Sequence, residues 1–311
     1  MLIRDKYIPA IFNHKNLIYL TIVALIDAVA QVTLGGIVRV TGSGLGCPDW
    51  PLCYGQVIPP FKLDTLIEYS HRLSGMMLGI LVLLMCIGFV RSNNKHKSKL
   101  TTRLSILALV LVVAAGLLGG VTVLTELSKW MRLVHLGVAE ILITCLCAII
   151  VFELPAQKVI GVIRYKIIGQ MVAFSVGITL FSILFGSYVV GSGYSAVCGT
   201  WPLCRGDFFP TDLFSFMHMA HRYLAIVLLV SFASFAYVSI VKFGLINRFS
   251  ISVVGGLVIL VAQIILGAII IWTGFASEFK AMHLTMATLF WVAISIVASI
   301  CLLYTSPSPR D

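Results

Sequence analysis

Charged residues are scarce in this sequence, at only 11% of 311 residues. Water-soluble domains carry about 25% charged residues, whereas 59% of this chain is hydrophobic. Such a composition cannot cover a surface that faces water, so it excludes an ordinary soluble domain and predicts a protein in lipid. Negative charge is scarcer than positive charge, with 12 Asp and Glu residues against 22 Lys and Arg residues. The basic residues lie in short segments between apolar runs, so we expect no nucleic-acid partner.

Cysteine is also sparse, with eight residues in the chain. That number is low for a disulfide scaffold, so spacing must identify the meaningful ones. Four lie within apolar runs and are interpreted as small core residues: Cys86, Cys145, Cys147 and Cys301. The other four form two matched pairs, Cys47 with Cys53 and Cys198 with Cys204.

The apolar runs predict an all-α, polytopic membrane protein, because each is near the roughly 20 residues that a spanning helix needs. The eight predicted spans are 17–38, 71–91, 104–124, 131–153, 167–190, 217–241, 251–273 and 281–304. The first is not a signal peptide, since its apolar run continues to Val40. The N-terminus and the segments after the second, fourth and sixth spans are basic. By the positive-inside rule both termini face the cytoplasm, and the two cysteine loops face outward.

An internal repeat divides the chain into two halves of four spans, residues 1–155 and 156–311. The first cysteine loop is Cys47-Pro48-Asp49-Trp50-Pro51-Leu52-Cys53, and the second is Cys198-Gly199-Thr200-Trp201-Pro202-Leu203-Cys204. Each follows a Gly-Ser-Gly and precedes a His-Arg pair, His71-Arg72 or His221-Arg222. The repeat predicts two pseudo-symmetric four-helix bundles related by an axis along the membrane normal.

Four histidines are matched between the halves: His71 and His135 in the first, His221 and His283 in the second. Each is predicted in the first turns of a span that begins at the outer side. Facing histidines in a four-helix bundle can hold one iron from opposite sides, and an apolar bundle suits a heme. His14 and His96 lie in basic segments and are interpreted as solvated surface residues.

Two questions about this site stay open in the sequence. The cysteine pairs could join the histidines in a Cys2His2 zinc site in each half, or each pair could close a disulfide. A disulfide would staple its loop, and for Cys47–Cys53 a redox or delivery role competes with that. Arg72 and Arg222 could bind heme propionates, or they could extend to the interface as long cations commonly do.

The halves differ at one telling position, three residues before the first histidine of each pair. Glu68 stands there in the first half and His218 in the second. Residues three apart share a helix face, so Glu68 would lie beside whatever His71 binds. A carboxylate there could accept a proton or stabilise positive charge. The alternative is an acid favoured by the helix dipole. Asp27 and Glu140 also lie inside spans, and the sequence suggests no partner for either.

The run from Gly35 to Cys53, with the Glu68-x-x-His71-Arg72 element, resembles the signature of heme A synthases. The resemblance covers nearly the whole chain and is closest to the bacterial type with cysteine pairs in both outer loops. It implies oxidation of the C8 methyl group of heme O to the formyl group of heme A. It also implies that His71 and His135 bind heme O with Glu68 catalytic, while His221, His283 and Arg222 hold heme b. The tail from about Tyr304 has no counterpart in the resemblance.

Two other functions remain as alternatives. A di-heme electron-transfer cytochrome would use the same histidines, although membrane cytochromes b usually place paired ligands along shared helices. A heme or metal transporter would use them transiently. For a synthase in the bacterial cell membrane, the expected partners are a heme O synthase and an electron acceptor. The sequence does not decide whether it is a homo-oligomer.

Overall fold

The structure is a computed structural model that describes residues 13–92, 99–154 and 166–305. The described residues form eight long helices and no strand. In chain order they are α1 His14–Val40, α2 Leu63–Arg91, α3 Lys99–Leu124, α4 Lys129–Glu153, α5 Lys166–Gly191, α6 Leu213–Phe243, α7 Arg248–Trp272 and α8 Ser277–Thr305. All eight are long and apolar enough to cross a membrane, which confirms the predicted all-α membrane fold. His96 and the last six residues lie outside the described residues.

The even-numbered helices begin earlier than hydropathy predicts. For example, α2 begins at Leu63 rather than at His71, and α6 begins at Leu213 rather than at residue 217. The residues added to α2 include Asp64, Thr65 and Glu68, which lower its hydropathy, whereas α6 is extended to a side-chain cap. The carboxylate of Asp212 accepts a hydrogen bond from the Ser215 backbone N–H at 2.9 Å and so satisfies a free donor of α6.

Each half is a closed four-helix bundle. In the first half α1 packs on α2, α2 on α3, α3 on α4, and α4 back on α1. Helices α5 to α8 repeat this order. The halves meet through α4 and α8, flanked by contacts of α1 with α8 and of α4 with α5. The contact pattern is therefore the one that the repeat predicts.

Small polar side chains connect the two halves inside the apolar interface. Thr33 and Thr285 share a hydrogen bond of 3.0 Å, and Thr144 and Ser295 share one of 3.1 Å. Hydroxyl pairs of this kind join helices where no hydrophobic force distinguishes protein from lipid. The interface is thus fixed by directional bonds as well as by packing.

The two cysteine loops lie at the same end of the molecule, which we call the cysteine-loop end. Each loop follows a glycine with positive φ, Gly42 at 73° and Gly193 at 81°, a conformation that only glycine adopts without strain. A disulfide closes each loop, Cys47–Cys53 and Cys198–Cys204, with a Cα–Cα distance of 4.8 Å in both. The disulfide prediction is confirmed. The zinc alternative is wrong, because the cysteines bond to each other.

Candidate heme-binding sites

The four matched histidines lie deeper than the sequence predicts. His71 and His221 follow the first residues of α2 and α6 by eight positions, and His135 and His283 follow those of α4 and α8 by six. At 1.5 Å of rise per residue, the rings lie roughly 9–12 Å from the helix starts. They are therefore inside the bundles and not at their rims.

Each histidine ring lies in a notch made by a glycine on the preceding helix. A Cβ atom added to each glycine would meet the ring Cε1 at 3.2 Å for Gly35 and His71, 3.5 Å for Gly119 and His135, 2.8 Å for Gly186 and His221, and 3.3 Å for Gly267 and His283. The same notch occurs four times, once for each histidine. The glycines therefore define where the imidazole rings can stand.

The histidines of each half also form a pair. His135 is within electrostatic range of His71, and His221 is within range of His283. All four Nδ1 atoms are buried and make no hydrogen bond of standard geometry within the described chain. The carbonyls of Gln31, Ala115 and Gln263, each four residues before a notch glycine, lie against three of the rings.

This arrangement fits axial ligation of a heme iron. A ligating histidine commonly turns its second ring nitrogen toward a carbonyl and binds metal through the other. Four half-buried histidines with buried Nδ1 atoms and glycine notches, in two apolar bundles, match that requirement twice. Within the described residues, no group of three or more His, Cys, Asp or Glu side chains could form a different metal centre.

Glu68 is 3% exposed and is held on both carboxylate oxygens. Its Oε1 accepts from Arg72 Nη2 at 2.6 Å, and its Oε2 accepts from the Cys47 backbone N–H at 3.1 Å. Both bonds are charge-assisted and therefore stronger than neutral ones. The carboxylate is thus fixed between the first cysteine loop and the turn that carries His71.

Arg72 ties the first cysteine loop to α2. Besides Glu68, it donates to the carbonyl oxygens of Asp49 at 2.6 Å, Leu52 at 2.7 Å and Cys47 at 2.8 Å. A guanidinium has five N–H donors in a fixed fork, so these bonds use most of its capacity. The Arg72 guanidinium, which the sequence analysis considered as a ligand for a heme propionate, is therefore bound to loop carbonyls instead.

The second half repeats the arrangement with one substitution. Arg222 donates to the carbonyls of Thr200 at 2.9 Å and Pro202 at 2.7 Å, and its Nη2 lies 3.3 Å from His218 Nε2. The other ring nitrogen of His218 lies 3.2 Å from the Tyr194 carbonyl oxygen. An imidazole therefore occupies the place of the Glu68 carboxylate. Binding of a cofactor by Arg222 stays a prediction.

The first cysteine loop folds back onto its bundle through Trp50. A Cβ on Gly120 would stand 2.7 Å from the Trp50 ring, so the indole lies directly against the backbone of α3. Gly120 is the neighbour of Gly119, whose notch receives His135. In the second loop, Trp201 contacts Trp272 instead, with ring centroids 5.7 Å apart. The two loops thus place their tryptophans against different partners.

Several polar contacts in the bundles were not predicted. Ser74 donates to Asp27 at 2.9 Å, and the Gln31 side chain donates to the His71 carbonyl at 3.0 Å. His14 is not merely solvated, because its Nδ1 lies 3.3 Å from the carboxylate of Glu153. A comparison of the two halves could have identified the pair Asp27 and Ser74, because both are polar whereas the equivalent residues of the second half, Ile178 and Leu224, are apolar.

Outside the helices, Asp49 organises the first cysteine loop. Its carboxylate accepts from the Gly55 N–H at 2.7 Å and from the Tyr54 N–H at 2.6 Å. These bonds, that from Gly55 first, lower the pKa of Asp49 below its usual value, with a smaller contribution from Arg72. The loop therefore depends on the ionised form of this side chain.

Comparison with known proteins identifies the family of the chain. The family described as cytochrome oxidase assembly protein (COX15-CtaA) matches residues 18–64 and 60–295. A protein named heme A synthase from Alkalihalophilus pseudofirmus is 28% identical over 299 residues, which cover 92% of this chain and 98% of the relative. Proteins of the same name from Bacillus cereus and Geobacillus kaustophilus are each 30% identical, covering 90% and 79% of this chain and 91% and 79% of their own length. The chain belongs to the COX15-CtaA family of cytochrome oxidase assembly proteins.

Proposed function

We propose that the chain is a heme A synthase. In this function it oxidises the C8 methyl group of heme O to a formyl group and so makes heme A for cytochrome oxidase. The curated relatives that match most of the chain carry the name heme A synthase. The two bis-histidine pockets supply one place for a substrate heme and one for a cofactor heme.

In the proposal the two halves divide the work. The first half, residues 1–155, binds heme O between His71 and His135. The second half, residues 156–311, holds heme b between His221 and His283, with Arg222 beside it. Bound heme b would supply one-electron redox chemistry for passing electrons onward.

The observation that carries this division is the exchange of Glu68 for His218 in otherwise matched surroundings. Arg72 holds the Glu68 carboxylate at 2.6 Å, whereas Arg222 lies 3.3 Å from the His218 imidazole. A carboxylate can stabilise developing positive charge on a substrate, and it can accept a proton from carbon. A neutral imidazole that contacts a guanidinium and a carbonyl is less able to stabilise positive charge and less able to accept a proton. The reactive half is therefore the one with Glu68.

The proposed reaction consists of two successive oxidations of one methyl group, through a hydroxymethyl to a hydrated aldehyde that loses water. Each oxidation passes two electrons to the electron acceptor and replaces one C–H bond of the methyl carbon by a C–O bond to the oxygen of a water molecule. Two protons are released, one from the water and one from the C–H bond. Glu68 accepts the proton from the C–H bond or stabilises the cation that forms as electrons leave. Arg72 and the Cys47 N–H keep the carboxylate in one orientation during both steps, so no reorganisation is needed at the moment of reaction.

The proposal also includes the surroundings of the enzyme. Both termini lie in the cytoplasm and the cysteine loops lie outside, as the basic segments predict. Heme O is received from a heme O synthase in the same membrane, and electrons leave to a membrane acceptor. The protein is proposed to act in a bacterial cell membrane, as its bacterial relatives suggest.

The test is the Glu68→Gln variant, expressed together with a source of heme O. The amide keeps the size of the side chain but removes its charge and basicity, so we expect hemes to stay bound while heme A disappears from the extracted pigment. Asp64→Asn is the matched control, since it makes the same change four residues earlier on the same helix, at an exposed position. Normal heme A production by Glu68→Gln would refute the assignment. A wild-type protein that never yields heme A would point instead to a di-heme cytochrome.

A further inference from the structure

Two arginines from the first half converge at the boundary between the halves. Arg39 lies near the end of α1, and Arg132 lies near the start of α4. One terminal nitrogen of each stands within 3.8 Å of the point where Gly191 of α5 would carry a Cβ. Both guanidinium groups are half-buried at the cysteine-loop end of the interface.

No carboxylate within the described chain neutralises this pair. The ion pairs among those residues are Arg72 with Glu68 and His14 with Glu153. Arg39 makes one long hydrogen bond, 3.4 Å, to the Ser187 carbonyl. The Nε of Arg132 is buried without a partner. Two like charges in a partly desolvated place repel each other, so the arrangement is completed by an anion.

The two arginines are one turn away from the heme-binding pocket of the first half. Arg132 precedes His135 by three residues, and Arg39 follows Gly35, the notch glycine of His71, by four. Residues three or four apart share a helix face. Because α1 and α4 run in opposite directions, both offsets lead toward the cysteine-loop end. Arg39 and Arg132 therefore lie about one turn nearer the cysteine-loop end than Gly35 and His135, on the same helix faces.

The pair is specific to the first half. The repeat places Val190 opposite Arg39 and Lys280 opposite Arg132. The second half thus has one amine where the first has two guanidinium groups. Arg72 cannot substitute for them, because its donors are taken by Glu68 and the loop carbonyls.

We infer that Arg39 and Arg132 form a carboxylate-binding site that receives the propionates of the porphyrin held in the first half. A guanidinium matches a carboxylate in shape and can bind it through two parallel hydrogen bonds. Two of them, about one turn nearer the cysteine-loop end than Gly35 and His135, orient the porphyrin about the axis through its iron. The site thereby selects which ring edge faces Glu68. This inference rests on the proposed function, since it assumes that the first half binds the substrate.

The test measures binding, not turnover. The purified full-length protein in nanodiscs is titrated with iron protoporphyrin IX and with its dimethyl ester, which lacks the two negative charges. The Soret shift gives Kd, and the His71→Ala variant identifies the part of the signal that belongs to the first half. We expect wild-type protein to prefer the free acid by about a hundredfold, about tenfold for each arginine, which is the value of charged hydrogen bonds.

The variants Arg39→Gln and Arg132→Gln should each weaken binding of the free acid by about tenfold and leave the ester unaffected. Together they should abolish the preference. The double variant Arg39→Lys/Arg132→Lys keeps both positive charges but loses the paired N–H donors of the guanidinium groups. It should therefore keep part of the preference for the free acid. Arg103→Gln is the control, because it removes one positive charge at an exposed position near the start of α3, at the end of the molecule away from the cysteine loops. A double Gln variant that still prefers the free acid, while folded by circular dichroism, would overturn the inference.

A lipid phosphate offers the same chemistry as a propionate, and a phosphorus assay of the purified protein separates the two sources. If the pair binds lipid, tightly bound phosphorus should be present in wild-type protein and lost in the double Gln variant, with no effect on the porphyrin preference. That outcome would overturn the inference. Failure of the proposed function gives a different result. Heme A would then not form, yet the preference for the free acid would persist.

Discussion

Thr288 on α8 donates a hydrogen bond of 2.9 Å to the carboxylate of Glu140 on α4, across the interface between the halves. The two residues are 148 positions apart, which is also the separation of His135 and His283. They therefore occupy equivalent places in the repeat and meet at its pseudo-symmetry axis. The Trp291 indole N–H also donates to the Glu140 main-chain carbonyl, at 2.7 Å. One residue of the first half thus accepts two bonds from the second.

This contact predicts how Glu140 variants behave. Glu140→Gln keeps an acceptor for Thr288 in a side chain of the same size, so the thermal unfolding midpoint in detergent should change little. Glu140→Leu removes one interhelical hydrogen bond, for which about 0.6 kcal/mol is the typical loss in a membrane protein. Glu140→Lys places a cation without a partner at a fully buried position and should cost several kcal/mol.

The three midpoints should therefore fall in the order Gln, Leu, Lys. If Glu140→Gln unfolds as early as Glu140→Lys, the charge of the carboxylate would be what the interface needs, and the hydrogen bond to Thr288 would not explain its stability.

The notch glycines predict a graded loss of heme. A Cβ at Gly186 would stand 2.8 Å from His221 Cε1, whereas one at Gly119 would stand 3.5 Å from His135 Cε1. The first distance requires movement of the ring and the second is ordinary contact. A ring bound to iron can move only by changing or leaving that bond. Gly186→Ala should therefore reduce the heme held in the second half, and Gly119→Ala should not reduce that in the first.

Heme content per protein, from pyridine hemochrome spectra, measures this effect. Gly119→Ala is the matched control, because the same methyl is added to an equivalent notch and both helices gain about 1 kcal/mol in intrinsic propensity. Equal heme loss in both variants would mean that the glycines serve helix packing in general, and that the notches do not set the ring positions.

The repeat made the site largely predictable from the sequence. The four histidines, the cysteine pairs and the exchange of Glu68 for His218 were all visible, because they recur at matched spacings. The contacts of Arg72 with three loop carbonyls were not, since they depend on the conformation of the loop. The sequence around prolines and glycines, for example at Leu52, does not indicate which loop carbonyls will face Arg72.

The pairing of Glu140 with Thr288 was hidden for a different reason. In a soluble helix, apolar periodicity identifies the face that packs against the rest of the protein. In lipid both faces are apolar, so the rotation of each helix in its bundle leaves little trace in hydropathy. The approach of Trp50 to Gly120 and the convergence of Arg39 with Arg132 depend on the same rotations. Only the three-dimensional arrangement shows them.

Acid should loosen the first cysteine loop but not the second. Hydrogen bonds from Gly55 and Tyr54 lower the pKa of Asp49 in the folded protein. The ionised carboxylate therefore stabilises the loop above the pKa of the unfolded chain, about 3.9, and this contribution is lost as the pH falls through the lower, folded value. In the second loop the equivalent Thr200 uses its hydroxyl oxygen to accept from the Arg205 N–H at 2.7 Å, and a hydroxyl does not titrate in this range.

Trp50 reports on the loop, because its ring lies against Gly120. We expect its emission, taken as the difference between wild-type protein and Trp50→Phe, to shift reversibly in acid below about pH 4. Asp49→Asn keeps one acceptor but cannot titrate, so its emission should be shifted already at neutral pH and then stay constant. The difference between wild-type protein and Trp201→Phe should show no such transition. An acid transition that survives in Asp49→Asn would assign the titration to another group, and Glu68 with its bond to Cys47 would be the next to examine.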